Sequence, residues 1–280
     1  MKLATIRTTG GTEAVRIEEA AGYAVELHCP DVGALLRTPD WRARAASATG
    51  PRHDLARLDY APVVPRPEKI LCVGLNYATH IREMGRELPQ YPTLFAKYPD
   101  ALIGAYDDLV LPDVEDCWDW EAELAVVVGA PVRSATAEQA RAAIAGYAVL
   151  NDVTARTWQY RSMEWLQGKT FADTTPFGPY LVTVDDAADT SAGRMLGCEI
   201  NGETVQQAET SDLVFAPEEL VAYVSTIVPL APGDVIATGT PGGVGHAQNP
   251  KRYLADGDTL VTRISGLGEA RNAVVRKTAP

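Results

Sequence analysis

The sequence predicts a mainly β protein with some α, an α+β chain whose many short strands curl into a roll or barrel. Three observations predict it. Short apolar runs recur along the chain, among them residues 124–128 and 147–150, each of strand rather than helix length. Turn pairs such as Gly10-Gly11 and Asn201-Gly202 separate alternating stretches, as hairpins require. Few windows carry a helical period.

Taken in order, residues 2–27 read as short strands with a turn at Gly10-Gly11. Residues 30–48 read as one helix beginning near Asp31, with Val32, Leu35 and Leu36 on one face. Residues 52–67 hold Pro62, Pro65 and Pro67 and read as a linker. A boundary near Arg66 divides a small N-terminal α/β module, 1–66, from a larger segment, 67–280. The first has no cluster of catalytic residue types. In the second, residues 70–73 form a buried strand, and 78–88 follow with a helical pattern that Gly85, Pro89 and Pro92 break, as a lid would be. Helices are expected over 138–145, capped from Ser134-Ala135-Thr136, over 154–166 and over 217–227. Strands are expected at 180–186, in a hairpin turning at Asn201-Gly202, and in the last fifty residues.

Composition bounds the function. Of 280 residues, 46% are hydrophobic and 22% charged, and the net charge is −12. Such an acidic chain is a poor partner for nucleic acid or anionic membrane, whereas a metal and a few cations still admit an anionic substrate. No apolar run approaches membrane-spanning length. The start of the chain does not read as a signal peptide, and Cys29, Cys72, Cys117 and Cys198 show no paired spacing, as expected of reduced thiols in a cytoplasmic protein.

Four blocks carry chemistry. Glu121 and Glu123 precede the apolar run 124–128, so on a strand they share a face. Asp152 follows the run 147–150. Three carboxylates at two strand ends repel one another unless a cation joins them, and oxygen donors suit a hard ion, Mg²⁺ or Mn²⁺; the plain alternative is an exposed acidic edge. His80 and Glu83 share a helix face, the arrangement of a general base with an orienting carboxylate or of a surface salt bridge. Lys169, ahead of a proline-rich turn, could face a carboxylate or an enolate oxygen, or only solvent. The glycine-rich stretch 237–245, with Gly239 and Thr240, follows a strand and lets backbone N–H groups approach an anion; otherwise it is a tight loop.

GLNYATH with Glu83, DWEAELAVVVG, NDVTAR, GKTF with PFGP, and TGTPGGVG stand in this order from about Pro67 onward. Together they resemble the fumarylacetoacetate hydrolase family. The resemblance implies a mixed β-sandwich roll, Mg²⁺ or Mn²⁺ on Glu121, Glu123 and Asp152, and a homodimer. It also implies a water-activating His80–Glu83 dyad and a substrate-facing Lys169. Gln159, Thr240 and Gly239 are then substrate contacts, and Arg156 a contact or a brace. The implied activity is hydrolysis of a C–C bond in an acylpyruvate-type 2-oxo or 1,3-dioxo acid through a metal-stabilised enolate. Oxaloacetate decarboxylation, isomerisation or hydration of unsaturated 2-oxo diacids, and a non-catalytic member are the alternatives. Two departures stand out: Ala172 occupies a position where many relatives carry Asp, leaving Asp173 next to it, and Gly242 replaces a frequent alanine, a change expected to matter little.

Overall fold

The structure is a computed structural model that describes residues 1–83, 85–186 and 193–277; Met84 and residues 187–192 and 278–280, all within the expected 67–280 segment, lie outside the described residues.

A central antiparallel pair explains most of the architecture. Strands β10 (Ala122–Val128) and β11 (Ile144–Asn151) are buried at every residue, which requires cover on both faces. On one side they continue through β17 (Val235–Ala237) and β5 (Ile70–Gly74) to β6 (Thr93–Lys97). On the other they continue through β14 (Leu181–Thr183) into the N-terminal strands β1 (Lys2–Thr8), β2 (Gly11–Glu18), β3 (Tyr23–Glu26) and β4 (Arg52–Asp54). This makes one ten-stranded sheet. Leu3 lies opposite Leu181 across the β1–β14 junction, so backbone pairing runs uninterrupted from the N-terminal segment into the rest.

A five-stranded sheet packs on one face, in the order β16 (Glu203–Glu209), β15 (Met195–Ile200), β18 (Thr259–Ile264), β19 (Gly268–Lys277) and β8 (Leu109–Pro112). Two further pairs, β7 (Leu102–Ile103) with β13 (Thr175–Pro176) and β9 (Trp118–Asp119) with β12 (Thr154–Ala155), complete a mainly β protein with few helices. The side chains of β10 alternate as the pleat dictates. Ala122, Leu124, Val126 and Val128 join the core shared with Leu196, Ile200 and Leu260 of the smaller sheet. Ala125 and Val127 face the opposite core, with Leu35, Leu36 and Phe177.

Helix α4 (Ala137–Ala143) is capped by Thr136, whose hydroxyl accepts from the Gln139 N–H while the Gln139 side chain accepts from Thr136 N–H. Helix α7 (Pro217–Ile227) spans 217–227 as expected, with Pro217 in the first turn, where no N–H is missed. Two expected helices are broken. Residues 30–48 form α1 (Val32–Leu36) and α2 (Trp41–Ser47): Pro39 disfavours helix at the residue before it, and Asp40 turns the chain with a φ of 52°. Residues 154–166 give β12 and a single turn, α5 (Arg156–Gln159), before the separate α6 (Leu166–Lys169). Between them the Ser162 hydroxyl accepts the Glu164 N–H at 3.3 Å, a local bond that competes with helix continuation. The expected linker 52–67 contains β4, paired to β3.

Candidate functional site

Strand register assembles the acidic cluster. Across the central pair Glu123 lies opposite Leu150 and Ala122 opposite Asn151, and the Asp152 N–H donates to the Glu121 carbonyl at 2.8 Å. Glu121 is therefore beside Asp152, and Glu123 is one diagonal away on the same face. All three side chains are buried, and their oxygens lie within 4.8 Å of one another. The exposed acidic edge is excluded.

Cations surround two of the three. Lys169 Nζ donates to Glu121 Oε2 at 2.7 Å and to Asp152 Oδ2 at 2.8 Å. Lys97, at the end of β6, donates to Asp152 Oδ1 at 2.6 Å and to the Lys169 carbonyl. Arg156 meets Glu121 Oε1 and Asp119 Oδ2, each at 2.7 Å. Burial would raise the Asp152 pKa, but Lys169 and Lys97 outweigh it and hold the carboxyl below its usual value. Glu123 is treated differently. Among the described residues its hydrogen-bond donor is the Gly239 N–H, 2.8 Å from Oε2, and burial together with Asp152 and Glu121 pushes its pKa well up. A buried carboxylate held by one neutral donor beside two others is an unfavourable arrangement that a divalent cation relieves. The all-oxygen donor set fits a hard ion.

Glu121 and Glu123 of the cluster line a cavity of about 320 Å³, together with Arg156, Gln159, Lys169 and Thr240. His80 lines the same cavity from α3 (Ala78–Glu83). Burial lowers the His80 pKa, with Glu83 and Glu121 opposing, so its imidazole is neutral near pH 7 and can take a proton. Both His80 and Glu83 flank Gly242: a Cβ built there would lie 3.1 Å from His80 Nδ1 and 3.4 Å from Glu83 Oε2. Among the described residues, however, the two side chains share no hydrogen bond. An alanine at position 242 would require the His80 ring to move by a few tenths of an ångström.

The remaining expected residues divide by role. The Arg156 Nη1 donates to Gln159 Oε1 at 2.9 Å, so the arginine both lines the cavity and braces its neighbours. Gly168 lets α6 press on α5: a Cβ there would stand 2.4 Å from the Gln159 nitrogen. Thr240 Oγ1 accepts from Gln206 Nε2 at 2.9 Å, and Gln206 Oε1 accepts the Ala122 N–H at 3.0 Å, tying the glycine loop to β10. The anion that Gly239 meets is the protein's own Glu123. Asp173 is exposed, in a turn with a φ of 57°, and is not part of the cavity lining.

Sequence reading missed Lys97, Asp119 and Asn151. Asp119 accepts the Gly245 N–H at 2.7 Å and the His246 N–H at 2.9 Å while holding Arg156. Asn151 accepts the Glu121 N–H at 2.9 Å and donates to Thr262 at 2.8 Å. The last two belong to the quoted blocks and could have been found by asking what supports their neighbours. Lys97 carries no local signal.

Residues 69–275 match the family Fumarylacetoacetate (FAA) hydrolase C-terminal. Oxaloacetate tautomerase Fahd2a, mitochondrial, of Rattus norvegicus is 42% identical over 233 residues, 83% of this chain and 74% of that protein. A putative HpcE protein from Mycobacterium smegmatis superposes with a TM-score of 0.87 at 37% identity, covering 99% of each chain. A 5-carboxymethyl-2-hydroxymuconate delta-isomerase from the same organism gives 0.84 at 33% identity, covering 99% of this chain and 100% of that one.

Proposed function

Because the chain belongs to the fumarylacetoacetate hydrolase family, we propose that it is an enzyme that moves a proton between the keto and enol forms of an oxaloacetate-type 2-oxo acid. The observation that carries this reading is the cavity itself: a neutral imidazole lines the same space as buried carboxylates and cations. Relatives named as oxaloacetate tautomerases and isomerases support it.

Glu121, Glu123 and Asp152 would hold a divalent ion, Mg²⁺ or Mn²⁺, which would supply Lewis acidity when bound. Lys169 and Arg156 fix the orientation of the carboxylates and add positive potential where enolate charge develops. His80 exchanges the proton at C3; burial keeps it in the form that accepts one. Gln159 and Thr240 position the substrate, and the apolar side chains of Val73, Phe95 and Trp165 exclude water.

C–C hydrolysis of an acylpyruvate ranks second. It is favoured by the placement of Glu83 beside His80 at Gly242, from which a water-activating dyad could form. The proposal also takes in a homodimer, and a reducing compartment such as the cytoplasm, supported by four free cysteines. No helix among the described residues is long and apolar enough to cross a membrane. The rat relative is named mitochondrial, so fractionation of the native cells tests the compartment, and light scattering tests the dimer.

The deciding experiment follows enol absorbance after oxaloacetate enol is added with Mg²⁺ or Mn²⁺, in parallel with product analysis on acylpyruvates. Faster enol loss without release of CO₂ or pyruvate is expected. Pyruvate released from an acylpyruvate, with oxaloacetate enol decaying at its background rate, would replace tautomerisation by hydrolysis.

A further inference from the structure

Three cationic side chains line the cavity: Lys169, Arg156 and Arg86. Two are committed to the carboxylate wall by the ion pairs described above. Arg86 is different. Among the described residues its guanidinium makes no ion pair and no side-chain hydrogen bond. Its backbone is nevertheless held. The Arg86 N–H donates to the Ile81 carbonyl at 3.2 Å, and Gly85, with a φ of 69°, carries the chain out of α3 in the left-handed turn that glycine permits. An uncommitted arginine thus stands at a defined place, six residues beyond His80. Apolar Val73, Leu75, Phe95 and Val244 share the lining with the polar residues, a surface suited to a short carbon chain.

We propose that Arg86 binds the distal carboxylate of the substrate and makes the site selective for 2-oxo dicarboxylates over 2-oxo monocarboxylates. The orientation rests on the function proposed above, which sets the 2-oxo end against Lys169 and the acidic cluster. A second carboxylate entering a cavity lined by Glu121 and Glu123 is repelled unless a cation meets it. The planar guanidinium accommodates both carboxylate oxygens. Arg86 is exposed, so the pair keeps part of its hydration and the expected selectivity is about tenfold.

The test is calorimetric titration of the whole protein, in Mg²⁺ buffer, with 2-oxoglutarate and 2-oxopentanoate. These share a five-carbon chain and differ in the distal carboxylate. The wild-type protein should bind 2-oxoglutarate about tenfold more tightly. Arg86→Ala should remove that preference by weakening 2-oxoglutarate alone, and Arg86→Lys should restore part of it. A preference unchanged in Arg86→Ala, equal weakening of both ligands, or no preference in the wild type would overturn the proposal. Circular dichroism of each variant separates misfolding from lost recognition. The proposed reaction fails independently: no enol turnover, together with an Arg86-dependent preference, would discard tautomerisation and keep the dicarboxylate subsite.

Discussion

The two walls of the cavity are built on opposite principles. The acidic wall stands on the ends of fully buried strands, and Glu121, Asp152, Lys97, Lys169 and Arg156 fix one another through bonds of 2.6 to 2.8 Å. The other wall comes from a helix of six residues carrying a half-buried His80 and an exposed Glu83, and from the exposed Arg86 just beyond it. Preorganised charge lowers a barrier because it need not rearrange during the reaction. Loosely held groups can close on ligands of different length. Under the proposed function, this contrast would give electrostatic stabilisation to the rigid wall, and proton transfer with selection to the adaptable one.

That division can be broken experimentally. Asp152→Ala removes a carboxylate that two lysines need, and should lower kcat roughly a thousandfold while abolishing Mn²⁺ binding measured by calorimetry. A variant that still binds the ion and turns over would end the metal assignment. Lys97→Met tests rigidity apart from catalysis. It deprives a buried carboxylate of one partner and should cost about 3 kcal/mol of stability, read from the urea midpoint. No change would mean that Lys169 alone holds Asp152.

On the adaptable wall, His80→Asn should lower kcat about a hundredfold and leave the urea midpoint within experimental error. The sign of its pH dependence follows from burial. Since the folded His80 titrates below its ordinary value, activity should persist as pH falls to about 6.5 and decline below it as the imidazole protonates. An acid limb in kcat/KM centred above that pH would assign the limb to another group. Gly242→Ala is the mildest change. Pressing on His80 should cost about 1 kcal/mol in rotamer strain, near fivefold in rate, and measuring KM and kcat separately will show which step it affects.

The same contrast governs what was legible in the sequence. The strand pattern gave the position of Glu121 and Glu123 on a shared face, because period two is a local property. Pro217–Ile227 opens on Pro217, with the Glu219 carboxylate accepting the Ala216 N–H, and was readable for the same reason. The site's supporting residues were not. Lys97 meets Asp152 across 55 positions of sequence, and nothing near it marks it as buried. The broken helices at 30–48 and 154–166 show the converse limit: helix was expected in both, but Pro39 and the Ser162 turn interrupted it. His80 and Glu83 were correctly placed on one helix by spacing, yet spacing could not say whether they bond.

The alternation along β10 has one more consequence, for how the chain can change over evolutionary time. Sliding that strand by a single position would exchange its two faces, drive Glu123 into the apolar space between the sheets and turn Leu124 toward the cavity. Insertion or deletion of one residue there would therefore damage folding and catalysis together. Substitutions can be tried one at a time in this segment, whereas changes in its length cannot, and variation in length should be confined to the connections around α3 and between α5 and α6, where substrate preference can shift without disturbing the strands.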